Sequence, residues 1–181
     1  MPRDGELETA VTLLLADQAP ELAREHDALY PERVSEGIPL SVTLLYPFVP
    51  AASLAESHLA TLRELFGSLA PFSFGIARVA QWERGGAVYG VPEPDEILRA
   101  TMRAVWARFP ECPPYGEAGS DPPPHASLTL DGGDDPATLR ARVEQRLRGV
   151  LPVQFEIDEA ALIEELEPDR WRLRETFRFG A

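Results

Sequence analysis

Lysine is absent from this chain, and all 17 basic residues are arginine. That usage reads as the codon bias of a GC-rich genome. Against 30 aspartates and glutamates it leaves a formal net charge of −13, which repels long polyanions. Extended RNA or DNA is therefore not the expected partner, whereas a small phosphate-bearing molecule in a local pocket remains open. Cysteine is nearly absent as well. Cys112 stands alone, so no internal disulfide and no cysteine-based zinc cluster can form. Its setting, Pro110-Glu111-Cys112-Pro113-Pro114, offers no adjacent histidine or cation to generate a thiolate, and a nucleophilic role is not expected. No run approaches the roughly 18 apolar residues of a membrane span, and the start, Met1-Pro2-Arg3-Asp4-Gly5-Glu6, has no apolar signal region. The expected location is the cytoplasm, with no membrane partner.

What is present suffices for a core: 181 residues, 44% of them hydrophobic. Residues 9–15 form an apolar, partly β-branched run. Asp17 is a candidate N-cap for a helix with Pro20 in its first turn and Leu22, His26 and Leu29 at helical spacing. Gly37 and Pro39 close that helix, and residues 41–48 read as a strand. Ser53-Leu54-Ala55-Glu56 has the capping-box pattern ahead of an apolar stripe of Leu59, Leu62, Phe66 and Leu69. Residues 72–76 and 87–91 read as hairpin strands joined through Glu83-Arg84-Gly85-Gly86 and ended by Pro92 and Pro94. Asp95 is placed as the cap of a helix whose Leu98, Met102, Val105, Trp106 and Phe109 share a face. A proline-rich loop over 110–124 leads to a strand over 125–130 and a turn over 131–135. Pro136 then opens a helix with Leu139, Val143, Leu147 and Val150 inside. Strands over 153–157 and 171–179 finish the chain.

This order, β-α-β-α-β-β-α-β-α-β-β, predicts an α+β fold. Residues 1–181 are expected to form a single bilobed domain of two small, mainly antiparallel sheets with flanking helices around a central cleft. Two segments look like copies of one another: Ser41-Val42-Thr43-Leu44-Leu45-Tyr46 and His125-Ala126-Ser127-Leu128-Thr129-Leu130. Internal duplication is the simplest account. Strand periodicity puts Ser41 and Thr43 on one face, and His125, Ser127 and Thr129 on another. Tyr46 falls opposite Thr43, as a packing residue would. Related by a twofold axis, the polar faces meet across the cleft, Ser41 with His125 and Thr43 with Ser127. The hydroxyls of Thr43 and Ser127 can then grip phosphate oxygens.

The pair of motifs resembles the two-histidine phosphoesterases, the superfamily of bacterial 2′-5′ RNA ligases and cyclic nucleotide phosphodiesterases. Its mark is a His-x-Thr/Ser motif in each lobe of a bilobed α+β fold. His125-Ala126-Ser127-Leu128, preceded by Pro124, is a complete second motif. Val42-Thr43-Leu44-Leu45-Tyr46-Pro47-Phe48 continues the first, and the likeness extends to Pro113-Pro114-Tyr115 and the aromatic final strand. The resemblance implies that His125, Ser127 and Thr43 are catalytic, and that Ser41, Tyr89 and Tyr115 contact substrate. The implied ligand is a 2′,3′-cyclic nucleotide or a short oligonucleotide end, with no cofactor.

The departure is Ser41. In such enzymes one histidine serves as general base and the other protonates the leaving oxygen. A serine hydroxyl does neither at neutral pH, so reduced activity is expected. Two alternatives are a non-catalytic nucleotide- or small-ligand-binding protein using the same cleft, and an enzyme turned to a one-histidine reaction. Neither other histidine replaces the missing one: His26 reads as buried and His58 as solvent-facing. One histidine among hydroxyls also makes no metal site. Arg170, Arg172, Arg174 and Arg178 read as a solvated edge balanced by Glu164, Glu165 and Glu167, and Arg140, Glu144 and Arg148 as a solvated helix face.

Overall fold

β-branched and apolar residues dominate both 9–14 and 41–45, and the chain pairs these segments at the centre of its sheet. The structure is a computed structural model that describes residues 6–29, 38–84, 86–129, 135–167 and 170–180. β1 (Thr9–Leu14) and β2 (Ser41–Leu45) flank α1 (Pro20–Leu29) in sequence. Next come α2 (Glu56–Gly67), β3 (Phe72–Gln81), β4 (Val88–Glu93) and α3 (Glu96–Arg108). β5 (Ala126–Ser127), α4 (Pro136–Arg146), β6 (Val153–Ile157), β7 (Glu159–Glu167) and β8 (Arg170–Arg178) complete the order. Among the described residues the strands form one sheet, β6-β3-β4-β5-β2-β1-β7-β8, antiparallel throughout.

The α+β class holds, with one antiparallel sheet that divides in order at its centre. One half is β6-β3-β4-β5 and the other β2-β1-β7-β8. The two small sheets expected from the sequence are halves of a single sheet, because β5 and β2 pair directly at Val42 and Ala126. Helices cover the core side. α3 packs on β2, α2 on β8, and α4 over β3 and β4, with an Arg146–Glu25 ion pair of 2.7 Å tying α4 to α1. Val11, Leu13, Val42, Val88 and Ala126 from the strands meet Leu62, Leu98, Val105 and Val143 from the helices in that core.

β7 is the strand missing from the sequence-based order. Glu-Ala-Ala-Leu-Ile-Glu-Glu-Leu-Glu is a string of good helix formers, and only pairing with β1 on one side and β8 on the other makes it extended. Ala160 to Ile163 are buried, and Glu164 is 3% exposed. Its charge is met by Arg172 and Arg174 of β8. The neighbouring arginines are paired as well, Arg170 with Glu167 and Arg178 with Asp158, and Arg140 bonds Glu144 on α4 at 2.8 Å. These are solvated pairs, as the sequence suggested.

Several local signals resolve differently. α1 starts at Pro20, after a turn over 16–18, so Asp17 is not its cap; Gln18 instead bonds both main-chain groups of Glu156 on β6. The capping role expected at Ser53 passes to His58. Ser53 ends a 3-10 turn, and the Ala55 N–H donates to His58 Nδ1 at 2.9 Å. His58 is thereby half-buried against Phe48 and Phe109 rather than facing solvent. Asp95 occupies the N-cap of α3 but gives its carboxylate to Arg99. Pro92 lies inside β4, paired with Ile76 beside a bulge that absorbs the irregularity. Gly37, Gly85, Leu130, the turn residues 131–134 and the leading residues 1–5 lie outside the described residues.

Candidate functional site

β5 is two residues long, not the six expected. Pro122, Pro123 and Pro124 bring no N–H to a ladder before it. After it, Leu128 and Thr129 both donate to the Val88 carbonyl, at 2.9 and 3.1 Å, and Thr129 Oγ1 accepts from the Val88 N–H at 2.9 Å. The Thr129 hydroxyl is therefore spent on β4 and does not join the polar face of His125 and Ser127.

Register decides which polar groups meet. Val42 pairs with Ala126, and residues directly opposite in an antiparallel pair share a face. Carried one residue either way, that register sets Thr43 opposite His125 and Ser41 opposite Ser127. The expected pairing, Ser41 with His125 and Thr43 with Ser127 across a cleft, is overturned. The motif strands lie side by side in one sheet, so motif equivalents become diagonal neighbours. Tyr89 of β4 pairs with Ser127, and Leu14 of β1 with Ser41, so Tyr89, Ser127 and Ser41 form one row. Ser41 is 7% exposed, Thr43 half-buried and Ser127 exposed. Among the described residues no side-chain hydrogen bond engages these three hydroxyls.

Tyr46 also moves. Val11 pairs with Leu45 and Thr12 with Thr43, so Leu44 is an extra residue, a β-bulge, in β2. Leu44 and Leu45 are both buried, and the alternation resumes with Tyr46 on the face of Thr43. The Tyr46 ring meets Tyr115 and Trp171 edge-on at 6.4 and 6.3 Å, and its hydroxyl donates to Glu8.

His125 sits among aromatic rings. Trp82 meets it edge-on at 5.0 Å, Tyr89 at 5.7 Å and Tyr115 face to face at 6.1 Å, while Trp82 and Tyr89 stack on each other at 4.5 Å. Nδ1 lies 2.8 Å from the Pro123 carbonyl oxygen, which only accepts, so Nδ1 carries the proton of the neutral ring. Nε2 then accepts from the Tyr115 hydroxyl at 3.2 Å. Burial lowers the His125 pKa below its ordinary 6.5, and the Pro123 contact offsets this only in part. The ring is thus neutral near pH 7, with its one lone pair on Nε2. Burial pushes the Tyr115 phenol up to about 12, so it stays a donor. Cys112 is pushed up to about 11, by burial and then by the charge of Glu111, and remains a thiol.

The face of the sheet therefore brings together Ser41, Thr43, His125, Ser127, Tyr89 and Tyr115. Trp82, Tyr46 and Trp171 belong to the same surroundings, although the sequence reads Tyr46 as a packing residue on the opposite face and singles out neither tryptophan for the site. Trp82 had one usable signal: in the β3–β4 hairpin it stands just beyond the Gln81–Val88 pair, diagonal to Tyr89. Among the described residues no group of three or more His, Cys, Asp and Glu is placed to hold a metal, and no helix is long and apolar enough to cross a membrane.

A fold with paired His-x-Ser-like strands at the centre of one antiparallel sheet defines a class. The sequence profile of the 2'-5' RNA ligase superfamily matches residues 11–169, and the chain belongs to that family. Compared by sequence with curated proteins, it has no match. Its fold is shared with a crystal structure described as a phosphoesterase, at TM-score 0.63 and 14% identity, over 97% of this chain and 99% of that one. E. coli LigT complexed with NADP+ superposes at TM-score 0.61 with 14% identity, covering 97% and 99% of the two chains. A protein of Thermus thermophilus does so at 0.56 with 19% identity, covering 96% and 97%.

Proposed function

We propose that this chain is a phosphodiesterase-like protein that binds a small phosphodiester, a 2′,3′-cyclic nucleotide or a short oligonucleotide end, and turns it over slowly. The observation that carries the reading is the His125 ring. Its Nδ1 is anchored on Pro123, so the lone pair at neutral pH is on Nε2, where a ligand can displace the Tyr115 hydroxyl, beside the Thr43 and Ser127 hydroxyls that no side chain engages among the described residues. In this reading His125 takes the proton from the attacking water, and Thr43 and Ser127 hold phosphate oxygens. Tyr89 and Tyr115 offer rings on which a base stacks. Ser41 stands where the partner histidine of such enzymes would be, and supplies a hydrogen bond but no proton transfer. E. coli LigT has been crystallised with 3'-AMP and with ATP, which supports a nucleotide as the ligand class. The same reading takes residues 1–181 as one unit that arose by duplication, supported by the central pairing of the two motif strands.

The test is turnover of 2′,3′-cyclic AMP by the chain and by His125→Ala. Slow hydrolysis that falls by about 10²-fold or more in the variant is expected. Turnover that survives the variant removes His125 from the reaction. A second reading, a binding protein without catalysis, draws on the Tyr115 hydroxyl, which occupies the Nε2 lone pair. It predicts nucleotide binding with no His125-dependent turnover.

A further inference from the structure

A cavity of about 530 Å³ opens where the chain around Glu8, Pro47 and Pro113 comes together. Phe48, Val49 and Pro113 give it apolar walls, and Glu6, Glu8 and Glu111 set acidic side chains around them. Among the described residues no arginine lines it. In a chain of net charge −13, such a space disfavours anions, so it is no extension of a phosphate site.

Glu8 is the informative member of the lining. It is half-buried, and one carboxylate oxygen accepts from the Tyr46 hydroxyl. Among the described residues no side chain donates to the other oxygen, which can accept from a ligand, and a charged donor makes the stronger bond. Tyr46 in turn positions Tyr115. The Tyr115 N–H donates to the Tyr46 carbonyl at 2.6 Å, their rings meet edge-on, and the Tyr115 hydroxyl reaches His125 Nε2. Tyr115 is the one non-glycine among the described residues with a positive φ, 54°. A tyrosine holds that conformation only because its neighbours impose it, so disturbing them favours its release.

We propose that this cavity is a second ligand site for a small organic cation, an amine on an apolar body, and that its occupancy is transmitted to His125 through Tyr46 and Tyr115. An ammonium bonded to the other oxygen of Glu8 neutralises the carboxylate and so weakens the bond it accepts from the Tyr46 hydroxyl. Tyr115 then has two arrangements, bonded to Nε2 or withdrawn from it, and the amine biases the choice. The proposal stands apart from the phosphodiester reading, since it concerns binding and the state of one imidazole.

Phenethylamine serves as the probe, with 2-phenylethanol as its uncharged counterpart, titrated calorimetrically into the full chain. The amine is expected to bind at least about tenfold more tightly than the alcohol, and Glu8→Gln to bring the two together. Added salt is expected to weaken amine binding, which decides the point even if Glu8→Gln fails to fold. Absence of amine binding, equal affinities, or binding indifferent to both Glu8→Gln and salt overturns the site. In ¹⁵N NMR, the His125 imidazole signals are expected to move with the amine in the unaltered chain and to stay still in Tyr115→Phe, which still binds it. Unmoved signals in the unaltered chain saturated with amine overturn the coupling, as does an undiminished shift in Tyr115→Phe.

Discussion

His125 is held at both nitrogens, by the Pro123 carbonyl on one side and the Tyr115 phenol on the other. Both contacts suit the neutral Nδ1–H ring, and burial disfavours its charged form. An NMR titration is therefore expected to find its midpoint below 6.5, and to find it higher in Tyr115→Phe, where the donor to the lone pair is gone. A midpoint at or above 6.5 in the unaltered chain would contradict this description of the ring. Ser41 is the other half of the matter. It lies on the same polar face, but opposite Ser127, diagonal to the imidazole. A histidine there would stand across the row from His125 rather than against it, which suits an acid and a base placed either side of a reacting phosphate.

At the scale of elements, β7 shows how a strand can contradict its own composition. Its central residues are buried between β1 and β8, and the buried Glu164 keeps its charge there. Burial pushes the carboxyl pKa up, but the bonds from Arg174 and Arg172 outweigh it, leaving the pKa below 4.5. Glu164→Ala is expected to lower stability by about 2 kcal/mol in urea denaturation, a discounted figure because both arginines are partly exposed. A variant as stable as the parent would mean the three charges do not hold β7 to β8. None of this could be read from Glu-Ala-Ala-Leu-Ile-Glu-Glu-Leu-Glu, since the partners that make it extended lie at either end of the chain. The helices were legible because each carries its own apolar stripe, as Leu59, Leu62 and Phe66 do on α2. The polar motif face was legible by alternation up to Leu44, where the bulge reversed the parity and hid Tyr46. Register between β2 and β5 was not legible at all. Motif likeness says which residues are equivalent, whereas hydrogen bonding says which are opposite.

For the whole molecule, acidification is the condition that several buried groups resist together. His26 and His125 are both held below 6.5 chiefly by burial, with Asp27 offsetting part of the effect at His26. Well above 6.5 both are neutral whether folded or not, and their contribution is complete. As pH falls through 6.5 the unfolded chain takes up protons first, so stability declines; Glu164 adds its own loss below 4.5. Urea midpoints are expected to fall between about pH 7.5 and pH 5.5, and to fall less in His26→Leu. A midpoint flat across that range would contradict the burial of these rings. The proposed function takes Thr43 and Ser127 as an intact phosphate grip and Ser41 as an empty proton-transfer position. Its most direct test is the rate of 2′,3′-cyclic AMP hydrolysis by the unaltered chain and by Ser41→His. The account predicts an increase of about 10²-fold in Ser41→His, abolished when His125→Ala is added. A Ser41→His protein that folds, binds the nucleotide and hydrolyses it no faster than the parent would contradict it.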